Sequence, residues 1–166
     1  MDDDWNCEKP EDAQSFCFGP PVPDLVIAIA ERDRSRRVLL DSDLCVVDKD
    51  QFFIRGCLDL PIAETRGIFR WLVWVALSEQ DFNRAVDLWD TPERESEPVY
   101  CGWLATSLPH YPETQNLECR VYTGPVGERP DVKLDPANHP LAVEQQTGIS
   151  RGRAESLALH IFREWA

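Results

Sequence analysis

The order of apolar patterns in this chain predicts an α+β fold: a single domain built on one twisted antiparallel sheet of five or six strands. Three observations carry that prediction. Phe52–Ile62 alternates as a strand with one apolar face does, and Phe69–Leu77 is the nearly continuous apolar run of a strand covered on both sides. Helical spacing follows directly after the second run and returns only near the C-terminal end. Strands therefore crowd the middle of the chain and helices its end, an order that does not suit repeated βαβ units.

Residues 1–12 carry six acids and one lysine, and residues 1–20 are expected to be a loose N-terminal segment of the one domain that spans 1–166. Cys17-Phe18-Gly19-Pro20-Pro21-Val22-Pro23 reads as stiff, extended loop. Leu25–Ala30 is too continuously apolar to assign by period, and the following Glu-Arg-Asp-Arg-Ser-Arg-Arg points to a helix end or an exposed turn. Leu44–Val47 and Phe52–Ile62 flank the polar break Asp48-Lys49-Asp50, which predicts a hairpin. In the second of these strands the even face (Phe52, Ile54, Gly56, Leu58, Leu60, Ile62) is apolar and belongs to the core, while the odd face (Phe53, Arg55, Cys57, Asp59, Pro61) is mixed.

Phe69–Leu77 is apolar on both faces, so it is the central strand, covered on both sides. Ser78 offers an N-cap with Asp81 three residues on, and a helix follows that should end near Asp90, since Pro92 cannot continue it. Phe82, Val86 and Trp89 are its expected sheet-facing residues. Beyond the charged loop Thr91–Glu97 come a strand over Val99–Ser107, a turn at Pro109–Pro112, a strand over Leu117–Thr123 and a short edge strand at Asp131–Leu134. Pro140 opens a helix over Leu141–Gln146 that Gly148 ends, and Ser150 caps a last helix through Phe162.

With 166 residues the chain can bury a full core without disulfides or a structural metal. Thirty acids against seventeen basic residues give a formal charge of -13. That balance opposes a general binder of nucleic acid or anionic membrane, which needs a basic footprint, and leaves room for a basic protein partner. The Met-Asp-Asp-Asp start is unlike a signal peptide, and no apolar run approaches the ~20 residues of a membrane span, so a cytoplasmic location is expected. In that reducing compartment most of the six cysteines are small buried hydrophobes, and no cofactor is expected.

No phosphate-binding glycine loop, zinc-protease, nucleophile-elbow or calcium-loop motif is present, so no catalytic residue is assigned. His110, His139 and His160 are scattered; the first two adjoin proline turns, where a loop hydrogen bond explains a histidine. A Cys/His-dependent enzyme would need a thiol and an imidazole brought together in space, which spacing does not show.

Two surfaces remain as candidates. If the strand phases hold, Arg55, Cys57, Arg70, Trp74, Arg120 and Tyr122 share the mixed sheet face. Arginines interleaved with aromatics suit a carboxylate or other small anionic ligand; the structural alternative pairs the arginines with Asp59, Glu118 or Glu144. Glu144 and Gln145 on the Pro140 helix join this ligand-binding set, or tie that helix to the sheet. The second surface is acidic: Glu93, Glu95 and Glu97 in one loop, with Asp2, Asp3 and Asp4 at the end, would dock a basic partner, and an apolar patch around Trp103 is a further partner-binding candidate. A non-enzymatic interaction protein follows, with an inhibitor or immunity-type protein that neutralises a toxin enzyme as its concrete version.

The segments LCVVDKDQFFIRGCLDLPI, FRWLVWVALSEQDFNRAVDLWD, GWLATSLPHYPETQNLECRVYTGPVGERPDVKLDP and HPLAVEQQTGIS occur in one order and together resemble the bacterial family known as domain of unknown function 2199, over about residues 40–155. The resemblance implies a small single-domain bacterial protein and names no activity. Members of that family often begin with a CxxCG motif followed shortly by His. Here Cys7 and Cys17 stand ten residues apart with no nearby histidine, short of the four closely placed ligands of a zinc site, so no metal is expected.

Overall fold

The computed structural model describes residues 15–135 and 138–165. In chain order the strands are β1 (Phe16–Phe18), β2 (Val38–Leu40), β3 (Leu44–Val47), β4 (Gln51–Pro61), β5 (Ile68–Leu77), β6 (Tyr100–Leu104), β7 (Glu118–Tyr122) and β8 (Asp131–Leu134). The helices are α1 (Asp24–Ile27), α2 (Glu31–Arg37), α3 (Glu79–Asp87), α4 (Pro140–Thr147) and α5 (Arg151–Trp165), with a tight 3-10 turn at Pro92–Ser96. The fold is α+β, with the C-terminal helices in place.

The two longest strands set the architecture. β4 and β5, with 11 and 10 residues, pair antiparallel from Phe52 opposite Leu77 to Pro61 opposite Ile68. Strands of that length outlast one neighbour per edge. The first half of β4 takes β3, and farther along the same strand Cys57 meets Asp131 of β8 in parallel. The first half of β5 takes β1 in parallel, Cys17 opposite Arg70, and its last residues take β6, Ala76 opposite Trp103. The sheet order is β1-β5-β6-β7-β8-β4-β3-β2, and because β4 also pairs β5, the strands β4, β5, β6, β7 and β8 close into a barrel.

The sheet thus has eight strands where five or six were expected, and two of its pairings are parallel. β1 falls in the stretch read as stiff loop, and β2 follows the charged run; three residues each are too few to show alternation. β8, expected as an edge strand, instead closes the barrel onto β4.

Closure depends on close backbone approach. A Cβ on Gly56 would stand 2.5 Å from Val132 Cγ2 and 3.0 Å from the Pro130 carbonyl oxygen, which accepts the Cys57 N–H at 2.8 Å. A Cβ on Gly102 would meet Val75 Cγ1 at 2.5 Å and the Ala76 carbonyl oxygen at 2.7 Å. Both glycines make room for the barrel wall rather than for a turn. At the β3–β4 hairpin Asp48 and Lys49 take left-handed backbone, φ 51° and 62°, and Arg37 grips the Asp48 carboxylate from Nε and Nη2 at 2.7 and 2.6 Å.

The barrel interior is filled by Ile54, Leu58 and Leu60 of β4, the odd residues of β5 including Phe69 and Trp71, and Tyr100, Leu104, Val121 and Val132. α5 closes on this core through Ala154, Leu157 and Ile161, a stripe at helical spacing, and α4 through Leu141 and Ala142. α3 begins as expected, with the Asp81 N–H donating to Ser78 Oγ at 3.1 Å, and packs Phe82 5.2 Å from the ring of Phe52. Its buried pair is Phe82 and Ala85. Val86, expected to face the sheet, is exposed, and Trp89 lies past the helix end, partly buried against the core.

A second core sits on the opposite face of the sheet, where Val26 and Ile29 cover Cys45, Val47, Phe53 and Trp74. β5 is therefore covered on both sides, as its two apolar faces require. The Glu-Arg-Asp-Arg-Ser-Arg-Arg run forms helix α2 rather than a turn; Glu31 and Asp33 in its first turn and Arg34, Arg36 and Arg37 in its last oppose the helix dipole. No helix among the described residues is long and apolar enough to cross a membrane.

Candidate functional site

On the outer face of β4 and β5 the register sets Arg55 opposite Trp74 and Asp59 opposite Arg70, with Cys57 between them along β4. Four of the six residues expected on one surface are thus neighbours. Arg70 donates from Nε and Nη2 to the two Asp59 oxygens at 2.7 and 2.9 Å, a fork that holds its pKa above the ordinary arginine value. Arg55 lies 5.6 Å from the Trp74 ring centroid and donates Nη2 to the Pro20 carbonyl at 3.0 Å; Trp74 Nε1 donates to that same carbonyl at 3.2 Å.

The segment from Pro20 to Ile29 therefore roofs this part of the face, and Trp74 is fully buried. Burial first, and the neighbouring Arg129 second, hold the Arg55 pKa below the ordinary value, and its Nε is buried with no partner. Arg129 itself donates Nε to Asp43 at 2.6 Å. Burial pushes the Cys57 thiol up to about 12.

Arg120 and Tyr122 sit elsewhere on the barrel wall. β8 intervenes, with Tyr122 opposite Asp131 and Asp131 opposite Cys57. Arg120 donates Nε to Asp135 at 2.9 Å, and Lys133 Nζ stands 5.1 Å from the Tyr122 ring.

Glu144 and Gln145 bind the helix to the barrel. Gln145 Oε1 accepts the Leu134 N–H at 2.9 Å and its Nε2 donates to the Val132 carbonyl at 2.8 Å. These two backbone groups point away from β7, toward the gap where β8 and β4 diverge, so the Gln145 amide stands in for a missing strand. Glu144 accepts from Tyr111 Oη at 2.6 Å and from Arg153 Nε at 3.0 Å, and the Tyr111 ring meets Trp71 edge-on at 6.2 Å. That network joins α4, α5 and the 108–116 loop.

The acidic loop divides sharply. The Glu97 side chain is 5% exposed; Arg84 grips both its oxygens at 2.8 and 2.7 Å and Tyr100 Oη donates to it as well. Arg84 first and Tyr100 second hold the Glu97 pKa below the ordinary carboxylate value. Glu93 and Glu95 are exposed and form no ion pair among the described residues. Between them Arg94 is only 2% exposed: it donates Nη1 to the Trp89 carbonyl at 2.9 Å and Nη2 to the Glu128 carbonyl at 3.0 Å, with the Trp89 ring 4.8 Å below. Arg94 anchors the turn and leaves the two glutamates facing outward. A lone arginine among acids gives no sequence sign of that role.

From this loop β6 runs along the barrel with Tyr100, Gly102 and Leu104 inward and Val99, Cys101 and Trp103 outward. Val99 is 39% exposed and Trp103 48%. Across the outer wall the register gives Trp103 beside Glu118, and Cys101 beside Arg120 and then Lys133. The Asp135 N–H donates to the Glu118 carbonyl at 3.0 Å, which places Asp135 at the end of the Trp103–Glu118 row. There the start of β7, the end of β8 and the start of α4 enclose a cleft of about 210 Å³.

His139 walls this cleft, with Nδ1 accepting the Leu141 N–H at 3.1 Å and Nε2 facing the carbonyls of Pro112 and Glu113 at 3.2 and 3.0 Å. His110 contacts Glu164 at 3.2 Å and stacks near His160, ring centroids 5.1 Å apart. Among the described residues no group of three or more His, Cys, Asp or Glu is placed to hold a metal. Cys7 and Asp2, Asp3 and Asp4 lie outside the described residues.

Residues 5–149 match the model of a family described as an uncharacterized protein conserved in bacteria (DUF2199), and the chain belongs to that family. No curated protein and no solved structure matches it.

Proposed function

We propose that this member of the bacterial family is a non-enzymatic interaction protein whose β6 face, with the Glu93/Glu95 loop at its head, docks a basic protein partner. An inhibitor or immunity-type role is the concrete form. The observation that carries the reading is the outward stripe Val99, Cys101 and Trp103, which leads from two exposed glutamates, without an ion pair among the described residues, to a half-exposed tryptophan. An aromatic anchor beside a charged rim is the composition of a protein docking surface. Of the three arginines expected to hold an anion, two are in contrast already paired, Arg70 with Asp59 and Arg120 with Asp135. Glu97 is left out of the surface because Arg84 and Tyr100 occupy it.

The test is affinity capture from a bacterial lysate at low salt, with the native chain, Trp103→Ala, and Glu93→Lys/Glu95→Lys run in parallel. A protein retained by the native chain, released by salt and lost from both variants supports the reading. Equal retention by all three, or retention of nothing, overturns it.

One observation favours a second reading, a small anionic ligand at Arg55. Its buried Nε has no partner, and a second guanidinium, Arg129, lies close enough to perturb it. Citrate should then raise the melting temperature of the native chain and not of Arg55→Gln; no rise removes this alternative.

A further inference from the structure

Resting on that docking reading, we infer that the cleft beside Trp103 is the seat for one arginine side chain of the partner. Its volume, about 210 Å³, lies below the roughly 300–1,000 Å³ of small-molecule pockets and suits a single side chain. Its floor is apolar, from Leu117, Leu134 and Ala142, which matches the methylene stem of a long basic residue. Its polar lining is Asn116, Glu118, Asp135 and His139, of which the two carboxylates, Glu118 and Asp135, supply negative charge.

Arginine rather than lysine follows from three features. Trp103, paired across the strands with Glu118, presents an exposed indole on which a planar guanidinium can stack. Glu118 forms no ion pair among the described residues, so both of its oxygens are open to a two-pronged contact. Asp135 already accepts a guanidinium, that of Arg120, through one oxygen at 2.9 Å. Arg120 is 56% exposed and reaches this carboxylate from the rim, so it acts as an internal competitor for the visiting group. His139 brings no such contact, because both of its ring nitrogens face backbone groups.

The probe is N-acetyl-argininamide titrated into the full ¹⁵N-labelled chain, with N-acetyl-lysinamide (free side-chain amine) and N-acetyl-leucinamide as comparisons. Saturable shifts at Glu118, Asp135 and Ala142 and at the Trp103 indole N–H are expected for the arginine compound, tighter than for lysine and absent for leucine. Glu118→Gln should weaken binding about threefold, the size of one exposed ion pair. Arg120→Gln should tighten it, a change that a merely structural Arg120 would not produce.

Shifts no larger than those of the leucine compound, equal binding of lysine and arginine, or weaker binding by Arg120→Gln would each overturn the assignment. The outcome is separable from that of the docking reading. Capture that depends on Trp103 and the glutamates, with no argininamide binding, removes only the cleft; argininamide seated in the cleft with no partner captured removes only the docking.

Discussion

Gln145→Ala separates a structural residue from a binding residue. In the folded chain the Gln145 amide satisfies the N–H of Leu134 and the carbonyl of Val132 on the open side of β8. Both residues are buried, so water does not simply replace the lost partner. Leaving one buried backbone group unsatisfied costs about 1–3 kcal/mol, and two such groups, partly relieved by relaxation of α4, give an expected loss of about 2–4 kcal/mol. An exposed ligand-contacting glutamine would cost less than about 0.5 kcal/mol. Urea unfolding measures the difference: the midpoint should fall while the slope stays constant, since the surface exposed on unfolding is unchanged. Native-state hydrogen exchange adds a local readout, because the Leu134 amide should lose protection beyond the global change. An unchanged midpoint with an unchanged Leu134 exchange rate would refute the surrogate-strand account and return Gln145 to the ligand-binding set.

Trp71→Ala should lose about 3–5 kcal/mol by the same urea assay, because the ring is fully buried in the barrel, whereas Trp103→Ala should stay within about 0.5 kcal/mol. Thiol labelling of the native chain at pH 8, read residue by residue by mass spectrometry, should modify Cys17 and Cys101 and spare Cys45, Cys57 and Cys119, whose burial pushes their pKa values to about 11, about 12 and about 12. Glu97 has a folded pKa below its ordinary 4.5, so its stabilising effect is complete above that value and is lost as pH falls through the folded one. The melting-temperature gap between the native chain and Glu97→Gln should therefore be constant above about pH 5.5 and close on acidification; a gap that widens in acid would contradict the pairing with Arg84.

The strongly periodic parts of the fold were legible and the short ones were not. β4, β5 and the α3 N-cap could be read because ten consecutive residues hold one phase and Ser78 caps with its hydroxyl. Barrel closure was hidden, since it rests on Gly56 and Gly102 admitting a neighbouring strand, and a glycine in a strand announces a close approach without naming what approaches. The strand phases did place Arg55, Cys57, Arg70 and Trp74 on one face. The roof over them comes from Pro20, more than thirty residues away in sequence, and no periodicity reports that contact. Among the loop acids, composition treats Glu93, Glu95 and Glu97 alike. Only the position of Arg84, one turn from the end of α3, and of Tyr100 at the start of β6 separates the buried glutamate from the exposed pair. The cleft needed Glu118 and Asp135 side by side, a consequence of the β7–β8 register that neither segment carries alone.

The docking account is tested most directly by the association rate of the captured partner as a function of ionic strength. Opposed charged surfaces steer encounter only within a Debye length, about 10 Å at 0.1 M salt, so the rate for the native chain should fall steeply between about 0.05 and 0.5 M. Glu93→Lys/Glu95→Lys should lower that rate and flatten its salt dependence, while Trp103→Ala should leave the rate nearly unchanged and speed dissociation. A rate that ignores both salt and the two glutamates would contradict electrostatic docking on this surface.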